Sequence, residues 1–106
     1  TAYSMSAGGP ILEPDSEAYI LTPICPYSLS SKPIVFSHKS QIEITLSNLK
    51  DKDAVLTIDG GKFLNIFEND RIIIKKSEYY TKLIKLKNMS FYEILNSKQS
   101  EGGFIK

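Results

Sequence analysis

Gln41-Ile42-Glu43-Ile44-Thr45-Leu46 decides the fold class of this chain. Polar and apolar residues alternate at a period of two. In an extended strand this puts Ile42, Ile44 and Leu46 on one face and their polar neighbours on the other. The same pattern continues downstream. Ala54-Val55-Leu56-Thr57-Ile58 is a strand that ends at Asp59-Gly60-Gly61, the strongest hairpin signal in the chain, and Phe63-Leu64-Asn65-Ile66-Phe67 returns from it. After the turn at Glu68-Asn69-Asp70, the β-branched run Ile72-Ile73-Ile74 disfavours helix and suits a sheet. Residues 81–87 alternate once more, with Ile84 and Leu86 sharing a face, and are expected to form a further strand. Upstream, Ile34-Val35-Phe36 and the compact apolar run Ala18-Tyr19-Ile20-Leu21 are short strands.

Helix signals fall near the two ends. Small and aromatic residues from Ala2 to Ala7 stop at Gly8-Gly9-Pro10, a sequence that ends a helix well, and Thr1 is placed to cap its start. Near the other end, Ser90 with Glu93 three residues on forms a capping box, and Phe91, Ile94 and Leu95 supply an apolar stripe. The tail from Ser97, with Gly102-Gly103, is expected to be mobile. Short strands with frequent turns and a helix near each end define a mainly β chain, of sandwich or barrel type. No internal repeat or second domain shows in the composition.

Thirteen basic and twelve acidic residues leave a formal charge of +1, which argues against a nucleic-acid module relying on bulk electrostatics. No apolar run is long enough for a membrane-spanning helix, and TAYSMSAGGP lacks the basic start and apolar stretch of a signal peptide. A single cysteine, Cys25, permits no internal disulfide, so a reducing, cytoplasmic setting is expected. The chain opens on Thr1, already inside a structured motif, and is expected to be a piece of a longer protein.

Most catalytic patterns fail. The one histidine, His38, lies in a Ser-His-Lys-Ser turn and is expected to be a solvated loop residue. There is no zinc-type ligand spacing, no nucleophile elbow and no Walker lysine loop. Asp59 belongs to turn chemistry. Cys25, held between prolines with no basic neighbour in sequence, is expected to be a small buried apolar residue rather than a reactive thiol.

Two segments offer more. In Thr1-Ala2-Tyr3-Ser4-Met5-Ser6-Ala7-Gly8-Gly9-Pro10, hydroxyls at Thr1 and Ser6 stand beside the ring of Tyr3, a combination able to hold a purine, and a capped helix explains the same residues equally well. In residues 21–33, Pro23, Pro26 and Pro33 interleave with hydroxyl residues to give a stiff, extended loop of the kind that serves binding or assembly.

Together, TAYSMSAGGPIL and LTPICPYSLSSKPIVF resemble the C-terminal half of bacterial NAD kinases, in which Thr-Ala-Tyr-Ser, Gly-Gly-Pro and Thr-Pro-Ile-Cys-Pro-His-Ser-Leu-Ser occur in this order and spacing. The resemblance extends more weakly over the whole chain, residues 1–106. Tyr27 stands where the family usually has histidine, so that imidazole's role does not carry over, and Ser31-Lys32 replaces a common aromatic–arginine pair. The family's Gly-Gly-Asp-Gly-Thr and Asn-Glu motifs belong to an N-terminal α/β half and do not occur in this chain.

The resemblance implies an NAD-binding, β-sandwich portion of a kinase that transfers a phosphoryl group from ATP, with a divalent metal such as Mg, to the adenosine 2′-hydroxyl of NAD. It implies that Thr1, Ala2, Tyr3, Ser6 and Cys25 contact NAD, and that Gly8, Gly9 and Pro10 shape the turn beneath the pocket. The catalytic aspartate would lie in the N-terminal half, leaving the isolated chain inactive. Assembly as a homodimer or homotetramer is implied too, with no nucleic-acid or membrane partner. Two other classes stay open at this point: a lipid kinase of the same broad superfamily, and a non-enzymatic β-rich interaction module.

Overall fold

The structure, a computed structural model, describes residues 2–86 and 88–102. Its elements, in chain order, are α1 (Ala2–Ser6), β1 (Ala18–Leu21), β2 (Ile34–Ser37), β3 (Ile42–Thr45), β4 (Ala54–Ile58), β5 (Lys62–Ile66), β6 (Arg71–Ile74) and α2 (Phe91–Gly102). The expectation of a mainly β chain with a helix near each end holds. The described strands pair as three two-stranded antiparallel ladders, β1–β2, β3–β6 and β4–β5, and sandwich layering is not among these pairings. The chain divides into two compact units, a division that composition does not reveal. Residues up to His38 together with those from Ser77 form one, and Lys39–Lys76 form the other.

In the first unit β1 and β2 align from Ala18 opposite Ser37 to Leu21 opposite Ile34. Tyr19 and Phe36 face each other in this register, their rings stacked with centroids 6.0 Å apart. The ladder is extended at its open end, where the His38 N–H donates to the Glu17 carbonyl at 2.9 Å. The His38 ring follows, with Nδ1 at 3.0 Å from that same oxygen and Nε2 at 3.3 Å from the Glu17 carboxylate. His38 is thus a half-buried tie between strand ends rather than the solvated residue expected from its turn-like neighbourhood.

α2 opens as its capping box dictates. The Ser90 N–H donates to Glu93 Oε2 at 2.7 Å, and the Glu93 N–H returns the bond to Ser90 Oγ at 3.2 Å. The Ser90 N–H first, and the Ser90 hydroxyl second, hold the Glu93 carboxyl below the usual glutamate range, with a smaller contribution from Lys85. Phe91 and Leu95 turn inward, whereas Ile94 from the expected stripe is exposed. The helix runs on to Gly102, so the tail expected to be mobile over residues 97–106 is helical up to there, and residues 103–106 lie outside the described residues.

In the second unit the alternating stretch behaves as its pattern requires: Ile42 is buried and Ile44 half-buried, while Glu43 and Thr45 face outward. β4 and β5 form the expected hairpin. Asp59 and Gly60 both take positive φ, 50° and 71°, and the Gly61 N–H donates to the Ile58 carbonyl at 3.0 Å, the geometry of a primed turn. Asp70 closes the next turn by accepting from the Phe67 N–H at 2.7 Å. Arg71 Nη2 meets Glu43 Oε2 at 2.9 Å on the exposed side of the β3–β6 ladder.

The strand expected over residues 81–87 is not formed across the described residues 81–86, which carry no regular secondary structure. Alternation gives a segment the right side chains for a sheet, but a strand exists only through a hydrogen-bonded neighbour, and no described strand pairs here. Leu83, Ile84 and Leu86 are accordingly exposed. Among the described residues, Ile42 is the one buried hydrophobic residue and it keeps 8% of its surface exposed, so this chain by itself builds little core.

Candidate functional site

α1 is a single short helix, and its end explains the two glycines after it. The Gly9 N–H donates to the Ser4 carbonyl at 2.7 Å, and the Gly8 N–H to the Met5 carbonyl at 3.0 Å. This paired pattern is the Schellman cap, which requires a left-handed residue at the position Gly8 occupies with φ of 89°. Gly9 is needed for a different reason. A Cβ there would collide with the Ser4 hydroxyl and lie 2.8 Å from both the Ser4 carbonyl and Thr22 Oγ1. The chain therefore turns back tightly over Ser4, bringing α1 against the residue that leaves β1.

That residue is Thr22. Its Oγ1 lies 2.8 Å from Ser4 Oγ, a part-buried hydroxyl pair joining α1 to the start of the proline-rich loop. On the side facing the loop, Tyr3, Ser6 and Ala7 stand opposite Pro23, Ile24, Cys25 and Pro26 around a shallow cleft of about 230 Å³. Three of the residues singled out from sequence, Tyr3, Ser6 and Cys25, thus meet at one place, although Cys25 is far from the other two along the chain. Ala2 is exposed and is not part of the cleft wall; its carbonyl accepts from Ser6 Oγ at 3.1 Å. Thr1, proposed from sequence as helix cap and NAD contact, lies outside the described residues.

Cys25 differs from its expectation in two ways. It is exposed, not buried, and it takes φ of 48°. Proline restricts the residue before it toward extended conformations, so a left-handed Cys25 ahead of Pro26 makes the loop bend where sequence reasoning had it straight. A non-glycine residue in this region carries about 1–3 kcal/mol of backbone strain. The bend puts Cys25 at the cleft.

The chemistry of the cleft is neutral. No Lys, Arg, Asp or Glu lines it. Tyr3, largely exposed, offers a ring face, and Pro23, Ile24 and Pro26 offer apolar surface. Ser6 spends its proton on the Ala2 carbonyl, which leaves its oxygen as an acceptor for a donor such as an exocyclic amine. These features suit the uncharged base and sugar of a nucleotide better than its phosphates. Among the described residues no group of three His, Cys, Asp or Glu side chains converges as a metal site.

A second cavity in the same unit, about 410 Å³, is mostly apolar, lined by Met5, Pro10, Ile11, Leu12, Ile20, Phe91 and Leu95. Ser4 borders it, so this hydroxyl has Thr22 as its partner beside an otherwise apolar surround. Sequence reasoning missed the Ser4–Thr22 pair. No local pattern marks it, because the two residues are joined only by the fold; the pair of glycines after α1 was the nearest available signal.

Comparison with known proteins shows the family to which this mainly β chain belongs. Residues 1–86 match the ATP-NAD kinase C-terminal domain. The chain is 46% identical over 101 residues to the NAD kinase of Carboxydothermus hydrogenoformans, an alignment covering 95% of this chain and 36% of that protein. It is 41% identical over 103 residues to the NAD kinase of Treponema denticola, covering 97% and 36%. With the NAD kinase of Clostridium botulinum it shares 45% identity over 100 residues, covering 94% and 35%. This chain belongs to the ATP-NAD kinase C-terminal domain family. It spans about a third of the length of the curated relatives it matches.

Proposed function

We propose that this chain is the nucleoside-binding C-terminal part of an NAD kinase, an enzyme that phosphorylates the adenosine 2′-hydroxyl of NAD with ATP to make NADP. The observation that carries this reading is the meeting of Tyr3, Ser6 and Cys25 around one neutral cleft in a chain of this family. Tyr3 supplies a ring face for the nucleotide, Ser6 an acceptor toward the adenine-bearing part, and Ala2 main-chain contact at the open end of α1. Cys25 sits on the opposite wall, reached by the Pro23–Pro26 loop. Thr1 completes the set by resemblance.

Phosphoryl transfer depends on positioning and on stabilising charge on the transferred group. The cleft's lack of charged side chains supports a positioning role for it. The catalytic base and the sites for ATP and its divalent metal belong, in this reading, to the N-terminal half of the same enzyme. That half, together with a partner subunit in a homodimer or homotetramer, would cover the apolar side chains this part leaves exposed, among them Leu29, Leu83 and Leu86. No helix among the described residues is long and apolar enough to cross a membrane. The lone Cys25 supports a reducing, cytoplasmic location.

The test is an assay of the full-length protein for NADP formation from NAD and ATP, beside the isolated chain. Activity in the former and none in the latter supports the proposal. A well-folded full-length protein that makes no NADP but phosphorylates a lipid would overturn it.

A further inference from the structure

We infer that Ser4 and Thr22 are positioning residues for the nucleoside cleft, setting the separation of its two walls; this rests on the reading of the cleft as the NAD site. One wall is carried by α1, where Ser4 stands between Tyr3 and Ser6 in sequence. The other wall begins at Pro23, the residue after Thr22. Neither Ser4 nor Thr22 lines the cleft, yet their hydroxyls meet at 2.8 Å, and each is next in sequence to a residue that does line it, Tyr3 and Pro23.

Three features make this contact a spacer. Gly9 folds back so closely that a side chain there would strike both hydroxyl partners, so the pair is held in a tight three-way contact. Both hydroxyls are half-buried, and Ser4 borders an apolar cavity, so a lost partner is not freely replaced by water. Beyond Thr22, Pro23 and Pro26 restrict the backbone, so a shift at Thr22 is carried along the loop to Cys25 rather than absorbed. The two hydroxyls thus act as one unit, and removing either should free the walls to the same extent.

The experiment is steady-state kinetics of the full-length enzyme carrying Ser4→Ala, Thr22→Val, the double change, and Thr22→Ser. Each single removal is expected to raise KM for NAD by about fivefold, the equivalent of one hydrogen bond. The double variant should be no worse than the worse single one. KM for ATP should stay within about twofold, since ATP contacts are assigned elsewhere. Thr22→Ser keeps the hydroxyl and should return KM for NAD close to the parent value. A lowered unfolding midpoint with KM for NAD unmoved would make the pair merely structural and overturn the inference. So would additive effects in the double variant, or a Thr22→Ser variant as impaired as Thr22→Val. A parent enzyme that forms no NADP overturns the functional reading itself and the pair's role with it, a result distinct from an active enzyme with unmoved KM.

Discussion

Tyr19 lies over Phe36 across the β1–β2 ladder, the two rings 24° from parallel with centroids 6.0 Å apart. Both side chains are half-buried, and they occupy directly opposed positions in the strand register. Cross-strand pairs are the unit by which such ladders are stabilised, and here the ladder supports the residue, Thr22, from which the cleft loop departs.

This pair should therefore show measurable coupling. In urea unfolding of the full-length protein, a double-mutant cycle with Tyr19→Leu and Phe36→Leu should give an interaction energy of about 0.5–1.5 kcal/mol. Additive single effects would mean that the stacking is incidental.

The exposed ion pair between Glu43 and Arg71 should behave in the opposite manner, although its 2.9 Å geometry is good. Both partners are well exposed, and a pair in that setting contributes about 0–1 kcal/mol. Glu43→Gln combined with Arg71→Met should leave the denaturant midpoint close to that of the parent. A large drop would show that the pair does more than its exposure suggests.

Acid should loosen the start of α2. The Glu93 carboxyl titrates below the ordinary glutamate range because the Ser90 N–H, then the Ser90 hydroxyl, bind its charged form. A group depressed in the folded state contributes stability that is complete above its unfolded-state pKa and is lost as pH falls through the folded one. Carboxyl-detected NMR titration of the full-length protein should find the Glu93 midpoint low. Ser90→Ala keeps the main-chain N–H and removes the hydroxyl, and should move it part of the way up toward the ordinary value. An unchanged midpoint in that variant would remove the hydroxyl as a contributor and leave the N–H as the cause.

The bend at Cys25 predicts a stability order set by backbone and not by side-chain contacts. With φ at 48°, glycine is tolerated there and a β-branched residue is not. Cys25→Gly should be near neutral in thermal unfolding, while Cys25→Val should destabilise by about 1–3 kcal/mol. The reverse order would argue that the loop is held by the thiol's surroundings.

Much of this architecture was legible in sequence, and particular residues show why. Gln41 to Leu46 was readable because one face of the strand is covered, so burial enforces the period at Ile42 and Ile44. Asp59-Gly60 and the Ser90–Glu93 box were readable because turns and caps are local chemistry, complete within a few residues. The alternation after Tyr80 misled because it describes a side-chain pattern, while a strand also needs a neighbour. Cys25 misled because hydrophobicity says nothing of φ. Of the site, Tyr3 and Ser6 were marked by residue type beside a helix end, and their proximity to Cys25 came from resemblance rather than from spacing. The Ser4–Thr22 contact was invisible because the fold alone brings those hydroxyls together.

In the proposed function, the cleft between α1 and the proline-rich loop holds the nucleoside of NAD. The most direct measurement is KM for NAD and for ATP in the full-length enzyme with Ser6→Ala and Tyr3→Leu. Both variants should raise KM for NAD by about tenfold, equivalent to about 1.4 kcal/mol of binding, while KM for ATP stays near that of the parent. An active enzyme in which neither change moves KM for NAD would place the nucleoside elsewhere and contradict the account.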